Sequence, residues 1–156
     1  MLERAQQLGL NVVGVHFHVG SNTTVAVAHA DGIRKARQAF DIAEQIGYKE
    51  FNILDIGGGF PGEQRLNSLF EKMAIDIKRQ LSESFPSTDT RFENLRIIAE
   101  CGRFFSASVV TLVTRVIGKH EDLGKQKRGQ QLYLNDGLYQ SMLKRGVITV
   151  YADAMS

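Results

Sequence analysis

Small and polar residues stand at the ends of three apolar runs of this 156-residue sequence, and several of their types are suited to binding an anion. They are His16, His18 and Ser21 at the first run, Asp55, Gly57, Gly58 and Gly59 at the second, and Glu100 and Arg103 at the third. Glycine N–H groups can surround phosphate oxygens because no Cβ obstructs the approach, and a guanidinium adds a charge-assisted contact. The pattern therefore indicates an anion site where three strands end.

The glycine triplet admits two other interpretations. Gly57, Gly59 and Gly62 match the G-x-G-x-x-G fingerprint of dinucleotide-binding proteins, in which a helix opens within the glycine loop. Pro61 delays the helix here, and Glu100, the next acid at a strand end, lies too far along the sequence for that fingerprint. No lysine follows the last glycine, which excludes a P-loop. A tight turn that needs glycine only for packing remains open.

Each polar residue also has a structural alternative. The alternatives are a core histidine at His16 or His18, a helix N-cap at Ser21, a carboxylate that orders the glycine loop at Asp55, and an ion pair between Glu100 and Arg103. Cys101 is more typical of an inert thiol than of a nucleophile, because no base stands in a clear sequence relation to it.

Apolar periodicity predicts alternating strands and helices. The strands are predicted at residues 11–17, 51–56 and 95–99, and the helices at residues 24–46 and 66–84. Near-continuous apolar strands separated by helices predict an α/β fold with a parallel sheet covered on both faces. From residue 109 the sequence is rich in β-branched residues, so a second, β-rich domain is expected there.

The spacing of the strands leaves two architectures open. The predicted strands start about 40 residues apart, which is typical of βα units, and an eightfold barrel of such units needs about 250 residues. The chain is therefore either a small open three-layer sheet or a segment of a larger barrel. Residues 1–9 read as the last turns of an amphipathic helix, and this start in mid-helix favours the barrel segment.

Composition and charge exclude several classes of partner. A formal charge of +2, with basic residues dispersed among acidic ones, predicts no nucleic-acid partner. The one basic cluster, Lys125, Lys127 and Arg128, is interpreted as a solvated loop. No apolar run approaches the roughly 18 residues of a membrane span, so no membrane partner is expected. The single cysteine, Cys101, fits a reducing compartment and a cytoplasmic location, and no metal site is predicted.

Four motifs together resemble the eukaryotic-type ornithine decarboxylases, which are pyridoxal-phosphate enzymes built on an alanine-racemase-like barrel. They are FHVGS at residues 17–21, LDIGGGFPG at 54–62, RIIAECGRFF at 96–105 and LNDGLYQSM at 134–142. The resemblance implies that residues 1–108 are the C-terminal part of a pyridoxal-phosphate-binding (β/α)8 barrel with three βα units. It further implies that residues 109–156 begin a β-rich C-terminal domain.

The resemblance also implies roles for individual residues. His18 would stack on the pyridine ring of pyridoxal 5′-phosphate, and Glu100 would bind the ring nitrogen and keep it protonated. The 5′-phosphate would be held by the N–H groups of Gly57, Gly58 and Gly59, the hydroxyl of Ser21, Gly102 and the side chain of Arg103. The family chemistry would be conversion of an amino-acid substrate, ornithine, to putrescine and carbon dioxide.

Other family elements are missing from the sequence. The Schiff-base lysine and the catalytic cysteine of the family have no counterpart, and none of the eight lysines fits the former role. We therefore expect no catalytic residue within these 156 residues, no turnover by them alone, and a homodimer for the full-length family protein. Cys101 stands where the family has proline, and after residue 142 the sequence departs from the family pattern.

Two alternatives to ornithine decarboxylation remain. One is a related diaminopimelate, lysine or arginine decarboxylase, because the residues that select the substrate are absent. The other is a non-catalytic regulatory homologue of the antizyme-inhibitor type. Such homologues lose cofactor residues, whereas His18, Glu100, Arg103 and the glycines are all present here, which favours an enzyme.

Overall fold

A computed structural model describes residues 1–21, 23–109, 111–121 and 130–137 of the chain. The α-helices are α1 (Leu2–Gln7), α2 (Ala28–Ile46), α3 (Asn67–Ser84) and α4 (Gly102–Ser106), and the strands are β1 (Gly14–His16), β2 (Ile53–Asp55), β3 (Arg96–Ile98), β4 (Val116–Glu121) and β5 (Gln130–Leu134). The predicted basic loop at Lys125, Lys127 and Arg128 lies outside the described residues, and so does most of the fourth motif, from residue 138 onward.

The first three strands form one parallel sheet in the order β1-β2-β3, as the sequence predicts. His16 pairs with Asp55, and Asp55 pairs with Ile98, so the three carboxyl ends are in register. The regular strands are shorter than the predicted apolar runs. The hydrogen bond from the Asn52 N–H to the Val13 oxygen, 2.9 Å, shows that part of the predicted extension is paired without being regular strand.

Helix α2 supplies most of the core that lies against the sheet. Its residues Ile33, Ala36, Phe40 and Ala43 are buried, and they are on the face that the helical period predicts. The helix ends at Gly47, which adopts the left-handed conformation expected of a C-cap glycine. It begins four residues later than predicted, at Ala28. Its N-cap is Val27, so the alternative role of Ser21 as an N-cap is wrong.

A cluster of aromatic side chains joins the two long helices to the sheet and its loops. The ring of Phe40 packs edge to face with those of Phe51 and Phe85, at centroid distances of 4.8 and 5.1 Å. Arg37 of α2 donates a 2.6 Å hydrogen bond to the Ser84 carbonyl at the end of α3 and lies over the ring of Phe92. These contacts hold α2 and α3 together against the sheet.

Strand β3 differs from the prediction of a sheet covered on both faces. Its three residues are exposed, and Ile97 and Ile98 keep 48% and 37% of their accessible surface. The reason is that β3 is an edge strand of the described sheet, with β2 on one side only.

Among the described helices, none is long and apolar enough to cross a membrane.

The chain divides into two compact units, Met1–Val110 and Thr111–Ser156. The second unit contains an antiparallel pair of strands, β4 and β5, with an irregularity in register between Val116 and Gly118.

The short helix α4 in the first unit is not predicted from the sequence, because its five residues hold too little periodicity to identify a helix.

Candidate functional site

The carboxyl ends of the three parallel strands are joined directly by backbone hydrogen bonds. The Phe17 N–H donates to the Asp55 oxygen at 3.1 Å, and the Ile56 N–H donates to the Ile98 oxygen at 2.9 Å. One step further on, the Glu100 N–H donates to the Gly57 oxygen at 2.8 Å. The residues that follow each strand in the sequence therefore meet at one edge of the sheet.

Close backbone packing explains why the loop that follows β2 begins with three glycines. We call this loop, residues 57–62, the glycine loop. A Cβ on Gly57 would overlap the carbonyl oxygen of Phe17, and Gly57 also has a positive φ of 64°. A Cβ on Gly58 would lie 2.8 Å from the carbonyl oxygen of Glu100. Real Cβ atoms essentially never come so close to a neighbour. A Cβ on Gly59 would likewise lie 2.7 Å from the carbonyl oxygen of Gly20. The packing interpretation is therefore correct for all three glycines, whatever else the loop binds.

Of the N–H groups of Gly57, Gly58 and Gly59, one has a hydrogen-bond acceptor among the described residues and two have none. Asp55 Oδ1 accepts the N–H of Gly57 at 2.9 Å, so the alternative in which Asp55 orders the glycine loop is confirmed. Within the described part of the chain, the N–H groups of Gly58 and Gly59 have no hydrogen-bond acceptor. The prediction that all three glycines offer an N–H to a phosphate is thus reduced to Gly58 and Gly59, because the Gly57 N–H is already used.

His18 lies beside the glycine loop rather than in the core. Its Nδ1 accepts the N–H of Gly20 at 2.8 Å, which fixes the rotation of the ring. Its Nε2 lies 3.1 Å from the position that a Cβ on Gly58 would occupy. Both His16 and His18 are exposed, so the alternative of a core histidine at either position is wrong.

Glu100 faces His16 and not Arg103. Its Oε2 is 3.4 Å from His16 Nε2, and both side chains are about half exposed. One ligand atom each from His16, Asp55 and Glu100 lies within 4.8 Å of the others. No ion pair joins Glu100 to Arg103 in the described residues, so that alternative is wrong. The half-exposed carboxylate of Glu100 can therefore face a protonated nitrogen or a cation at the strand ends.

The remaining predicted residues surround the loop without touching it through their side chains. Ser21 is exposed in the loop that follows the first strand, and Gly102 and Arg103 begin helix α4. The backbone of α4 packs on the glycine loop, since a Cβ on Gly62 would come within 2.7 Å of the Phe104 oxygen. Among the described residues, no hydrogen bond or ion pair links the Ser21 hydroxyl or the Arg103 guanidinium to the loop.

The site includes one buried residue that the sequence pattern does not predict. His29, on helix α2, is fully buried, and its Nε2 lies 3.1 Å from the carbonyl oxygen of Gly58. Its ring stacks on that of Phe60, with centroids 4.5 Å apart. Burial lowers the pKa of His29, an effect opposed by its hydrogen bond to Gly58 and reinforced by the nearby His18. The signal that could identify it is spacing, because His29 is four residues before Ile33 on the apolar face of α2.

Cys101 lies next to Glu100 and is half-buried. Burial raises the pKa of its thiol, which disfavours the thiolate at neutral pH. The interpretation of Cys101 as an inert thiol agrees with this shift.

The chain matches a family model and several known proteins. Residues 1–107 match the pyridoxal-binding domain of the pyridoxal-dependent decarboxylases. Ornithine decarboxylase of Caenorhabditis elegans is 40% identical over 150 residues, and antizyme inhibitor 2 of Xenopus laevis is 38% identical over 149. The crystal structure of the Paramecium bursaria Chlorella virus arginine decarboxylase bound to agmatine superposes with a TM-score of 0.69 at 35% identity.

These matches cover most of this chain but only part of each relative. The aligned region is 90% of this chain and 34% of the worm ornithine decarboxylase, and 90% of this chain and 32% of the frog antizyme inhibitor. It is 88% of this chain and 34% of the viral arginine decarboxylase. The chain therefore spans about a third of the length of the relatives that it matches.

Proposed function

The chain belongs to the pyridoxal-dependent decarboxylases, and from that premise we propose that the protein carrying it converts ornithine to putrescine and carbon dioxide. The cofactor of this family is pyridoxal 5′-phosphate. The ornithine decarboxylases among its relatives, at up to 40% identity, support ornithine as the substrate. The single observation that carries the assignment of a cofactor site is the hydrogen bond between Glu100 and Gly57, which brings the third strand end to the glycine loop.

The residues at the strand ends fit the phosphate of this cofactor. The N–H groups of Gly58 and Gly59 are without an acceptor in the described structure, and N–H groups of successive residues form anion-binding concavities. Ser21 is in the loop that follows β1, and Arg103 is in α4, which follows β3. We assign the phosphate to Gly58 and Gly59, with contributions from Ser21, Gly102 and Arg103. The role of Gly57 is to allow the close approach of β1 and β2, since its N–H is bound by Asp55.

The residues that face the strand ends also fit the ring of this cofactor. When bound, the protonated pyridine ring of pyridoxal phosphate withdraws the electrons left on the substrate carbon as carbon dioxide departs. Glu100 would hold the proton on the ring nitrogen, because a carboxylate stabilises a nearby cationic nitrogen. His18 would lie against the ring face, in the rotation fixed by its bond from Gly20. His16 would orient the Glu100 carboxylate from the side of β1.

The wider architecture is part of the same proposal. Residues 1–108 would be a segment of an alanine-racemase-like (β/α)8 barrel, and residues 109–156 the start of a β-rich domain. The open edge of β3, with Ile97 and Ile98 exposed, is consistent with a further strand in the complete barrel. We further propose a homodimer in the cytoplasm, with a small-molecule amino acid as the substrate and neither a nucleic acid nor a membrane as a partner.

We also propose that these 156 residues alone do not decarboxylate ornithine. None of the lysines of the first compact unit lies at the carboxyl end of a strand. All are exposed, on helices or in the loop before β2, and they are Lys35, Lys49, Lys72 and Lys78. A test is to incubate the purified chain with pyridoxal phosphate and carboxyl-labelled ornithine and to collect carbon dioxide. Binding of the cofactor without release of label is expected, and release of label would contradict this proposal.

A chimera tests the chemistry itself. Residues 1–107 would replace the aligned segment of the worm ornithine decarboxylase, which supplies the rest of the enzyme. The chimera is expected to release carbon dioxide from ornithine, and Glu100→Gln in the chimera is expected to lose most of the rate because a neutral amide no longer favours the protonated ring nitrogen. If the Glu100→Gln chimera folds, binds the cofactor and keeps the full rate, the role assigned to Glu100 is wrong.

A regulatory protein of the antizyme-inhibitor type is the second candidate function. The observation that favours it is the frog antizyme inhibitor 2, whose 38% identity to this chain equals that of the mouse ornithine decarboxylase. The two candidates differ in cofactor binding. A chain that binds antizyme but does not bind pyridoxal phosphate would support the regulatory protein and would exclude the decarboxylase.

A further inference from the structure

His29 is a fully buried histidine close to the strand ends, and it contacts the glycine loop in two places. Its Nε2 is 3.1 Å from the Gly58 carbonyl oxygen, and its ring stacks on Phe60 at 4.5 Å with an interplanar angle of 20°. Gly58 and Phe60 flank Gly59 in the loop. His29 therefore holds the loop on both sides of a residue whose N–H has no acceptor in the described structure.

The hydrogen bond defines the tautomer of His29. A carbonyl oxygen can only accept, so the proton must be on Nε2, and Nδ1 carries a lone pair. Nδ1 is buried and has no partner among the described residues. Leaving a polar atom buried without a partner destabilises the fold. A phenyl ring would fill the same space and stack on Phe60 without that cost, so the specific contribution of the histidine is its N–H.

The geometry of the peptide bond converts this contact into an orientation for Gly59. The Gly58 carbonyl and the Gly59 N–H belong to the same planar trans peptide, and they point in opposite directions. Because His29 binds the carbonyl from the side of helix α2, the Gly59 N–H points away from that helix. Glycine at position 59 permits the φ of 98° that this arrangement needs.

We infer that His29 is a positioning residue, which fixes the peptide between Gly58 and Gly59 so that the Gly59 N–H is presented to the cofactor phosphate. The inference rests on the proposed function, since it concerns the same site. Its consequence is specific to the phosphate, because the Gly59 N–H is one of the proposed phosphate donors and the proposed ring contacts are made by other residues. Loss of the His29 N–H leaves the peptide free to rotate, and the anion site loses a preorganised donor.

Two variants separate the N–H of His29 from its packing. His29→Phe keeps the ring and the stack on Phe60 but removes the donor, whereas His29→Gln restores an N–H donor on a flexible side chain. The probes are pyridoxine 5′-phosphate and pyridoxine, which differ only in the phosphate and have no aldehyde to react with lysine. Dissociation constants for both compounds would be measured by equilibrium dialysis of the purified chain. Circular dichroism checks that each variant is folded.

We expect His29→Phe to weaken binding of pyridoxine 5′-phosphate by about 3- to 10-fold, which is the range for one hydrogen bond, and to leave pyridoxine unchanged. His29→Gln should recover most of the loss. Equal weakening of both compounds would overturn the inference, because His29 would then act only on the packing of the site. Unchanged binding of both would also overturn it. If the unaltered chain binds neither compound, the proposed cofactor site fails together with the inference.

A measurement on the unaltered chain covers the case in which the variants do not fold. The ¹⁵N resonances of the His29 ring should show a proton on Nε2 and none on Nδ1 at neutral pH. The amide of Gly59 should shift when pyridoxine 5′-phosphate is added and should shift much less with pyridoxine. A proton on Nδ1, or equal shifts with the two compounds, would overturn the inference.

Discussion

The substitution Gly57→Ala should destabilise the close packing between the ends of β1 and β2. Two separate costs are expected. Alanine at a φ of 64° is in the left-handed region, which costs about 1–2 kcal/mol. Its Cβ would also overlap the Phe17 carbonyl oxygen. Relief of that overlap needs movement of backbone at the end of β1, which costs about 1–3 kcal/mol in a packed site.

Gly47→Ala is the matched control for the first of these costs. Gly47 has a φ of 94°, but a Cβ there would meet no atom within 4 Å. It should lose only the left-handed contribution, about 1–2 kcal/mol. Gly57→Ala should lose the sum, about 2–5 kcal/mol, which is a large fraction of the roughly 5–15 kcal/mol that stabilises a typical domain.

The assay is urea unfolding of the purified chain followed by circular dichroism, with the free energy of unfolding extrapolated to water. A loss for Gly57→Ala about 1 kcal/mol or more greater than for Gly47→Ala is expected from the overpacking range. Equal losses for the two variants would mean that the ends of β1 and β2 do not meet at the Phe17 carbonyl.

Three further predictions concern residues outside the glycine loop. Phe40→Ala should lower the free energy of unfolding by about 3–5 kcal/mol, because it removes a buried ring that contacts three others, and urea unfolding measures it. Hydrogen bonds from the side chain and backbone of Arg91 lower the pKa of Asp89 to about 2. The stability that this carboxylate contributes is therefore present above about pH 4 and lost as the pH falls toward 2. Asp89→Asn should flatten this part of the pH dependence of the urea midpoint. An unchanged profile would contradict the role assigned to Asp89. Because burial raises the pKa of the Cys101 thiol, iodoacetamide should alkylate the folded chain more slowly than the chain in urea at about pH 8, and equal rates would be the contrary result.

Periodicity was sufficient to predict the sheet and the inner face of α2. The spacing of Ile33, Ala36, Phe40 and Ala43 identifies that face because the 3.6-residue period of a helix puts all four on one side. Strand ends are less predictable, because a β-branched residue such as Val13 has the same preference whether or not its neighbour continues the ladder. The late start of α2 and the helix α4 have a similar cause, since each depends on tertiary contacts more than on local sequence.

The candidate site was predicted in outline, and its internal contacts were not. The order of strands and polar residues was sufficient to bring Glu100 to the glycine loop, because parallel strands end at one edge of a sheet. The sequence does not show that Asp55 accepts the N–H of Gly57 and leaves those of Gly58 and Gly59 without an acceptor in the described structure, because this depends on side-chain geometry. His29 was missed because a histidine within an apolar stripe resembles a surface residue when only residue types are considered, although its spacing from Ile33 places it on the buried face.

We propose that the three strand ends bind one molecule of pyridoxal 5′-phosphate, and a crystal of the protein soaked with the cofactor would show where it binds. We expect phosphate density within hydrogen-bonding distance of the Gly58 and Gly59 nitrogens, and the pyridine nitrogen against the Glu100 carboxylate. Cofactor density at another place on the protein, or a ring nitrogen that faces away from Glu100, would show that this cofactor site is wrong.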